Sequence, residues 1–152
     1  MNVAFGIISI IISTFIGFRL SFKYTEKKDF YKYYRQFNSN LENEVSFLNN
    51  TLLSIIEKSD KDIYFYRVLE DKIVNDKKEK IAFLSKDEND YFFEYSEKVG
   101  KTDKAGQLEL ITFTKKYLTE KYETAEKEEK KYKKLYIKMG FLIGLLIFIV
   151  II

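Results

Sequence analysis

Two apolar runs without a charged residue, Val3 to Phe18 and Phe141 to Ile152, bracket a long and highly charged middle. That segregation limits what the chain can fold into. The ends call for an apolar surrounding, whereas the middle must assemble a core of its own. At a rise of ~1.5 Å per residue the first run covers most of a ~30 Å hydrocarbon layer, and Leu20 to Phe22 supply the rest if Arg19 snorkels. Phe141 to Ile152 alone reaches only ~18 Å, so the second membrane segment begins near Leu135, with Lys138 reaching back to the headgroups. A cleaved leader is the weaker reading of the first run, because no basic stretch precedes it and no small-x-small site follows it.

The flanks predict orientation. Arg19, Lys23, Lys27 and Lys28 follow the first run, and Lys127, Lys130, Lys131, Lys133, Lys134 and Lys138 precede the second. Cations gather on the cytoplasmic side, so the middle is expected in the cytoplasm and both termini outside. Phe18, Phe22, Tyr24, Tyr132 and Tyr136 fall at one interface as an aromatic belt. Ser9, Ser13 and Gly17 are spaced by four, as are Gly140 and Gly144, giving each membrane helix a strip of small residues where the other backbone can approach. The expected organisation is a transmembrane helix over 1–22, a cytoplasmic helical domain over 23–134 and a second transmembrane helix over 135–152.

The chain has no Pro and six Gly, four of which (Gly6, Gly17, Gly140 and Gly144) lie in the apolar ends. A middle so poor in helix breakers reads as all helical. Phe30, Tyr34, Phe37, Leu41, Val45, Leu48, Leu52 and Ile55 recur in threes and fours, so the first membrane helix is expected to continue as an amphipathic one, with a turn at Asn49-Asn50-Thr51. Ser59 to Asp62 marks a firmer boundary. A third stretch, Ile63 to Val74, carries Tyr64, Val68 or Leu69, and Ile73 on one side and stops at Asn75-Asp76. A short fourth is expected from Lys77 to Leu84, and a fifth from about Asp87 to Lys98. Gly100 ends that one, and Thr102 is the expected N-cap of a helix running from Asp103 into the second membrane segment. Its stripe is Leu108, Ile111, Leu118, Tyr122, Ala125, Tyr132, Tyr136 and Met139. Glu123 with Lys127, Glu126 with Lys130, and Glu129 with Lys133 stand in the favourable i,i+4 order.

Cys and His are both absent, which removes thiol chemistry, disulfides, the usual zinc sites and the imidazole base. No phosphate-binding glycine loop, nucleophile elbow or paired-carboxylate pattern occurs. No enzyme activity, cofactor or metal is expected. The net charge of +3, with its lysine excess beside the apolar ends, indicates membrane topology rather than nucleic-acid binding.

The ordered set Ser13-Thr14-x-Ile16-Gly17-Phe18, Leu41-Glu42-x-Glu44-Val45, Val99-Gly100-x-Thr102-Asp103-x-x-x-Gln107, Tyr132-x-x-Leu135 and Met139-Gly140-x-Leu142-x-Gly144-Leu145 resembles the stage III sporulation protein AB family. Asn49-Asn50-Thr51 departs from the family's Gly and Thr-Pro turn, and Gly106 stands where the family prefers an acidic residue. The resemblance implies an all-α protein whose cytoplasmic helical bundle is similar to the F-protein domain of type II secretion and type IV pilus platforms. It implies a membrane-anchored adaptor in the mother-cell membrane around the forespore, part of a secretion-like channel complex needed for endospores. The partners it implies are the stage III sporulation protein AA ATPase, other membrane proteins of the complex and membrane lipid, with no small-molecule substrate. Glu42, Glu44, Thr102, Asp103 and Gln107 are the candidates for partner contact. The alternative is a platform component of a general type II secretion or pilus-like system.

Overall fold

The computed structural model describes residues 2–47 and 52–151. Five helices account for most of them: α1 (Asn2–Phe47), α2 (Leu52–Glu57), α3 (Tyr64–Asn75), α4 (Lys86–Lys98) and α5 (Lys104–Ile151), with no strand among the described residues. Contacts divide the chain into two units. One takes residues up to Lys28 and from Thr124 onward; the other is Asp29–Glu123. The expected turn at Asn49-Asn50-Thr51 lies outside the described residues.

In the first unit the N-terminal part of α1 and the C-terminal part of α5 run antiparallel, with Gly6 beside Phe148, Gly17 beside Tyr136 and Tyr24 stacked on Tyr132 at 4.8 Å. Both helices are long and apolar enough to cross a membrane, and only 11% of the most apolar window of each is buried within the protein. Side chains such as Phe15, Leu146 and Val150 stand more than half exposed. So large an exposed apolar surface needs an apolar exterior.

The second unit closes on an aromatic core. Phe30, Tyr34 and Phe37 project from one face of α1 at helical spacing and meet Phe65 of α3, with ring centroids at 5.4, 5.3 and 5.9 Å. Phe92 of α4 completes the cluster against Phe30 at 5.3 Å and Tyr34 at 5.5 Å. From α5, Ile111 and Leu118 are fully buried.

The buried face of α3 is Phe65, Tyr66, Leu69 and Lys72; of the expected Tyr64, Val68 or Leu69, and Ile73, it keeps Leu69 and otherwise lies one step round. The run Ile63-Tyr64-Phe65-Tyr66 is apolar without interruption, so spacing alone leaves its register open. The aromatic cluster selects Phe65, and Tyr64 stays exposed. Asp76 then ends the helix in the left-handed region at φ 49°, a conformation Asp tolerates better than most side chains.

Residues 77–84 form no helix. Lys77, Lys78, Glu79 and Lys80 are exposed, while Ile81 and Leu84 are buried, and α4 holds this connection through one side chain. Asn89 Oδ1 accepts from Ile81 N at 2.9 Å, and Asn89 Nδ2 donates to Ile81 O and Leu84 O, each at 3.2 Å. A side-chain clamp of this kind, reaching back five to eight residues, substitutes for helical bonding and leaves no periodic trace in the sequence. At the start of α4, Ser85 Oγ accepts from Glu88 N and Glu88 Oε2 from Ser85 N, a reciprocal capping box.

Polar groups in this core differ in what they bond. Tyr95 Oη donates to Asn38 Oδ1 at 2.9 Å, and Asn38 Nδ2 donates to Ile111 O at 3.0 Å, so one bridge ties α1, α4 and α5. Tyr34 Oη is buried with no hydrogen-bond partner among the described residues. Removing an unpaired hydroxyl costs nothing, whereas orphaning a buried acceptor does. Tyr34→Phe should therefore leave stability unchanged or raise it slightly, while Tyr95→Phe should lower it by about 1–3 kcal/mol. Thermal unfolding of the full chain in detergent micelles checks the contrast, which equal losses in the two variants would contradict.

Candidate partner-contact and helix-pairing sites

Among the residues expected to contact a partner, Thr102, Asp103 and Gln107 come together in one turn. Gly100, at φ 80°, turns the chain away from α4. Gln107 Oε1 accepts from Gly100 N at 3.1 Å, and its Nε2 donates to Thr102 Oγ1 at 2.9 Å. Asp103, not Thr102, takes the capping position: its Oδ1 accepts from Gly106 N at 3.0 Å, while its carbonyl takes the first helical bond from Gln107 N. The cap moves one residue because Thr102's hydroxyl is already engaged by Gln107. Gln107 is buried and spent on the turn, so only Thr102 and Asp103 of the three present surface.

Glu42 and Glu44 lie elsewhere, on α1. Lys115 of α5 donates to Glu42 Oε2 at 2.8 Å. Glu44 lines a groove of mixed polar and apolar character with Tyr33, Gln36, Asn40, Ile55 and Lys58. Phe113, missed by the sequence reading, is 72% exposed on α5 beside Leu110 and Tyr91. The signal was available: Phe113 falls between Ile111 and Thr114 of the buried line and so points out of it.

The electrostatics of the second unit centre on two buried charges. Lys121 donates to Glu88 Oε1 at 3.0 Å, so the carboxylate of the capping box is also paired from α5. Lys72, with its side chain covered, reaches Asp76 and, at 3.3 Å, Glu97 of α4; Lys78 also pairs with Glu97. The Lys78 and Lys72 ammonium groups hold the Glu97 carboxyl below the usual carboxylate range, and Lys72 does the same for Asp76. A depressed carboxyl pKa contributes stability fully above the unfolded value of about 4 and loses it as pH falls through the folded one. Thermal stability should therefore decline with acidification below about pH 4, and Glu97→Gln should flatten that decline. Parallel wild-type and variant pH profiles would contradict it.

In the first unit the strip of small residues pairs the helices. Ser13 Oγ donates to Gly140 O at 2.7 Å. A Cβ at Gly17 would lie 2.4 Å from Tyr136 O, one at Gly140 2.5 Å from Ser13 O, and one at Gly144 2.6 Å from Ile10 Cα. Ser9 instead turns its hydroxyl back onto Gly6 O at 2.7 Å. The contact line runs through Gly6, Ile10, Ser13 and Gly17, with Gly6 against Phe148. Gly140 rather than Met139 continues the α5 side, and Met139 is about half exposed. Beyond the apolar runs, Lys28 pairs with Glu129 at 3.2 Å, and Thr25 donates to Glu129 Oε1 at 3.1 Å. Of the expected i,i+4 pairs, Glu126 with Lys130 and Glu129 with Lys133 form. Glu123 and Lys127 make no ion pair among the described residues; both are exposed, where a pair gains little over its entropy cost.

Among the described residues no group of three or more His, Cys, Asp or Glu is placed to hold a metal ion. The class defined by these features is an all-helical protein with two helices of membrane-crossing length and a small helical unit between them in sequence. A family model described as stage III sporulation protein AB matches residues 61–152, and the chain belongs to that family. The matched segment takes in α3, α4 and all of α5, with the motifs at Val99–Gln107 and Tyr132–Leu145; those at Ser13–Phe18 and Leu41–Val45 precede it. No curated protein and no solved structure gave a match.

Proposed function

We propose that the protein is a membrane-anchored adaptor of the sporulating mother cell, with α1 and α5 crossing the membrane around the forespore and the Asp29–Glu123 unit in the cytoplasm. The observation that carries this reading is membership of the stage III sporulation protein AB family across residues 61–152. The two helices of membrane-crossing length support the anchoring, and the lysines flanking both apolar runs support a cytoplasmic unit. In this reading the unit docks the stage III sporulation protein AA ATPase within a secretion-like channel complex, a role similar to that of the type II secretion platform's cytoplasmic domain. In this reading it performs no catalysis, which is supported by the commitment of the buried Glu88 and Lys72 to capping and pairing and by a composition with neither His nor Cys.

Docking favours an exposed aromatic rimmed by polar groups, and Phe113 supplies one. Full-length protein in detergent should capture the ATPase, and Phe113→Asp should weaken capture at least about tenfold, the scale of a truncated hot spot. Absence of capture by the wild-type chain would sink the adaptor reading, while capture indifferent to Phe113→Asp would move the contact to another face.

A further inference from the structure

The charged residues beside the apolar runs are sorted by depth. Residues 19–25 and 130–138 carry seven cations, Arg19, Lys23, Lys130, Lys131, Lys133, Lys134 and Lys138, and no carboxylate. The next layer, 26–29 with 123–129, holds six carboxylates and three lysines. The antiparallel pairing brings the cationic stretches level, since Gly17 lies against Gly140 and Tyr24 against Tyr132. Lys130 and Lys133 are compensated by Glu126 and Glu129 of the outer layer. The other five, Arg19, Lys23, Lys131, Lys134 and Lys138, are exposed and make no ion pair among the described residues.

Topology alone does not demand this sorting. Orientation responds to Lys and Arg and hardly to Asp or Glu, so carboxylates could stand among these lysines without altering it. Their exclusion leaves an uncompensated positive collar at the edge of the apolar surface, at the depth of headgroup phosphates. Arg19 and Lys23 are four apart on α1, and Lys131, Lys134 and Lys138 are spaced three and four on α5, so each set forms an outward stripe. Tyr24, Tyr132 and Tyr136 fill the inner side between the helices.

We infer that this collar is a binding surface for anionic phospholipid, which it recruits around the α1–α5 pair in preference to zwitterionic lipid. The inference rests on the reading of α1 and α5 as membrane-spanning. Five outward cations without a carboxylate partner among the described residues, of which Lys23 and Lys131 lie over the rings of Tyr24 and Tyr132, are a phosphate-recognising set whose attraction is screened by salt.

The test is electron spin resonance of chain-labelled phosphatidylglycerol and phosphatidylcholine around the full-length protein reconstituted in phosphatidylcholine bilayers. The motionally restricted component should favour phosphatidylglycerol by about threefold or more at low salt, and the preference should shrink with added salt. Changing Arg19, Lys23, Lys131, Lys134 and Lys138 together to Gln should bring the ratio to unity. Changing Lys58, Lys80, Lys86, Lys101 and Lys116 to Gln, an equal charge loss in the other unit, should leave it as in the wild type. A restricted component without preference overturns the lipid inference alone, as does a preference that survives the collar substitutions. Absence of any restricted component overturns the membrane-spanning reading beneath it.

Discussion

Phe65→Ala is expected to cost the Asp29–Glu123 unit about 3–5 kcal/mol, the range for emptying a fully buried phenylalanine site. Phe65 has no exposure, and its ring meets Phe30, Tyr34, Phe37, Tyr66 and Phe92 within 6.1 Å. It is the side chain through which α3 reaches both α1 and α4. The neighbours that would have to fill the space are themselves rings in fixed edge and stacked arrangements, so collapse is poor and the upper end of the range applies. A helical unit of this size has only about 5–10 kcal/mol in total, so the variant should show amide exchange in α3 and α4 accelerated by two orders of magnitude or more. Hydrogen exchange of the full chain in detergent reports this unit separately from the apolar helices. Unchanged exchange in α3 and α4 would mean that the aromatic cluster does not hold the unit.

The double substitution of Gly17 and Gly140 by Val should separate α1 from α5 in the first unit. The atoms a side chain would strike there are backbone: Tyr136 O at 2.4 Å from a Cβ on Gly17, and Ser13 O at 2.5 Å and Thr14 Cα at 3.1 Å from one on Gly140. No rotamer change relieves either clash, so the helices must move apart. In lipid no hydrophobic drive opposes separation, because association rests on close packing and a few interhelical bonds. Ser13 Oγ to Gly140 O is such a bond and would be lost with the approach, a combined loss of about 2–4 kcal/mol. Spin labels at the exposed Phe15 and Leu142 can be introduced into a chain that has no cysteine of its own. The distance between them should lengthen and broaden in the double variant, and an unchanged distribution would contradict the pairing.

What could be read from the sequence follows from how local each determinant is. The apolar runs, the end of α3 at Asn75-Asp76 and the stop at Gly100 are written in neighbouring residues, and the structure has them at those places. The capping box Ser85–Glu88 is equally local, its spacing visible in the chain, and it starts the helix at Lys86, one residue before the expected Asp87. The connection 77–84 was open to misreading because its geometry is imposed by Asn89, which clamps Ile81 and Leu84 from α4. The register of α3 was ambiguous for a related reason. Four consecutive apolar residues carry no periodicity, and Phe65 is chosen by rings on α1 and α4. In the apolar helices, spacing by four nominated Ser9, Ser13 and Gly17, but a helix face drifts, and the contact line keeps Ser13 and Gly17 while passing through Gly6 and Ile10 in place of Ser9. Of the candidate contact residues, Gln107 is held inside a turn whose closure depends on Gly100 and Thr102 together. Exposure could not be inferred for it from type alone, while Phe113's could, from its place off the buried line.

Deletion of the gene in its own host measures whether this chain serves endospore formation. Heat-resistant spores should fall by orders of magnitude while vegetative growth is normal, and the full-length chain supplied in the mother cell should restore them. Unimpaired sporulation, or a growth defect with protein made in vegetative cells, would contradict the account and favour a general secretion or pilus-like platform.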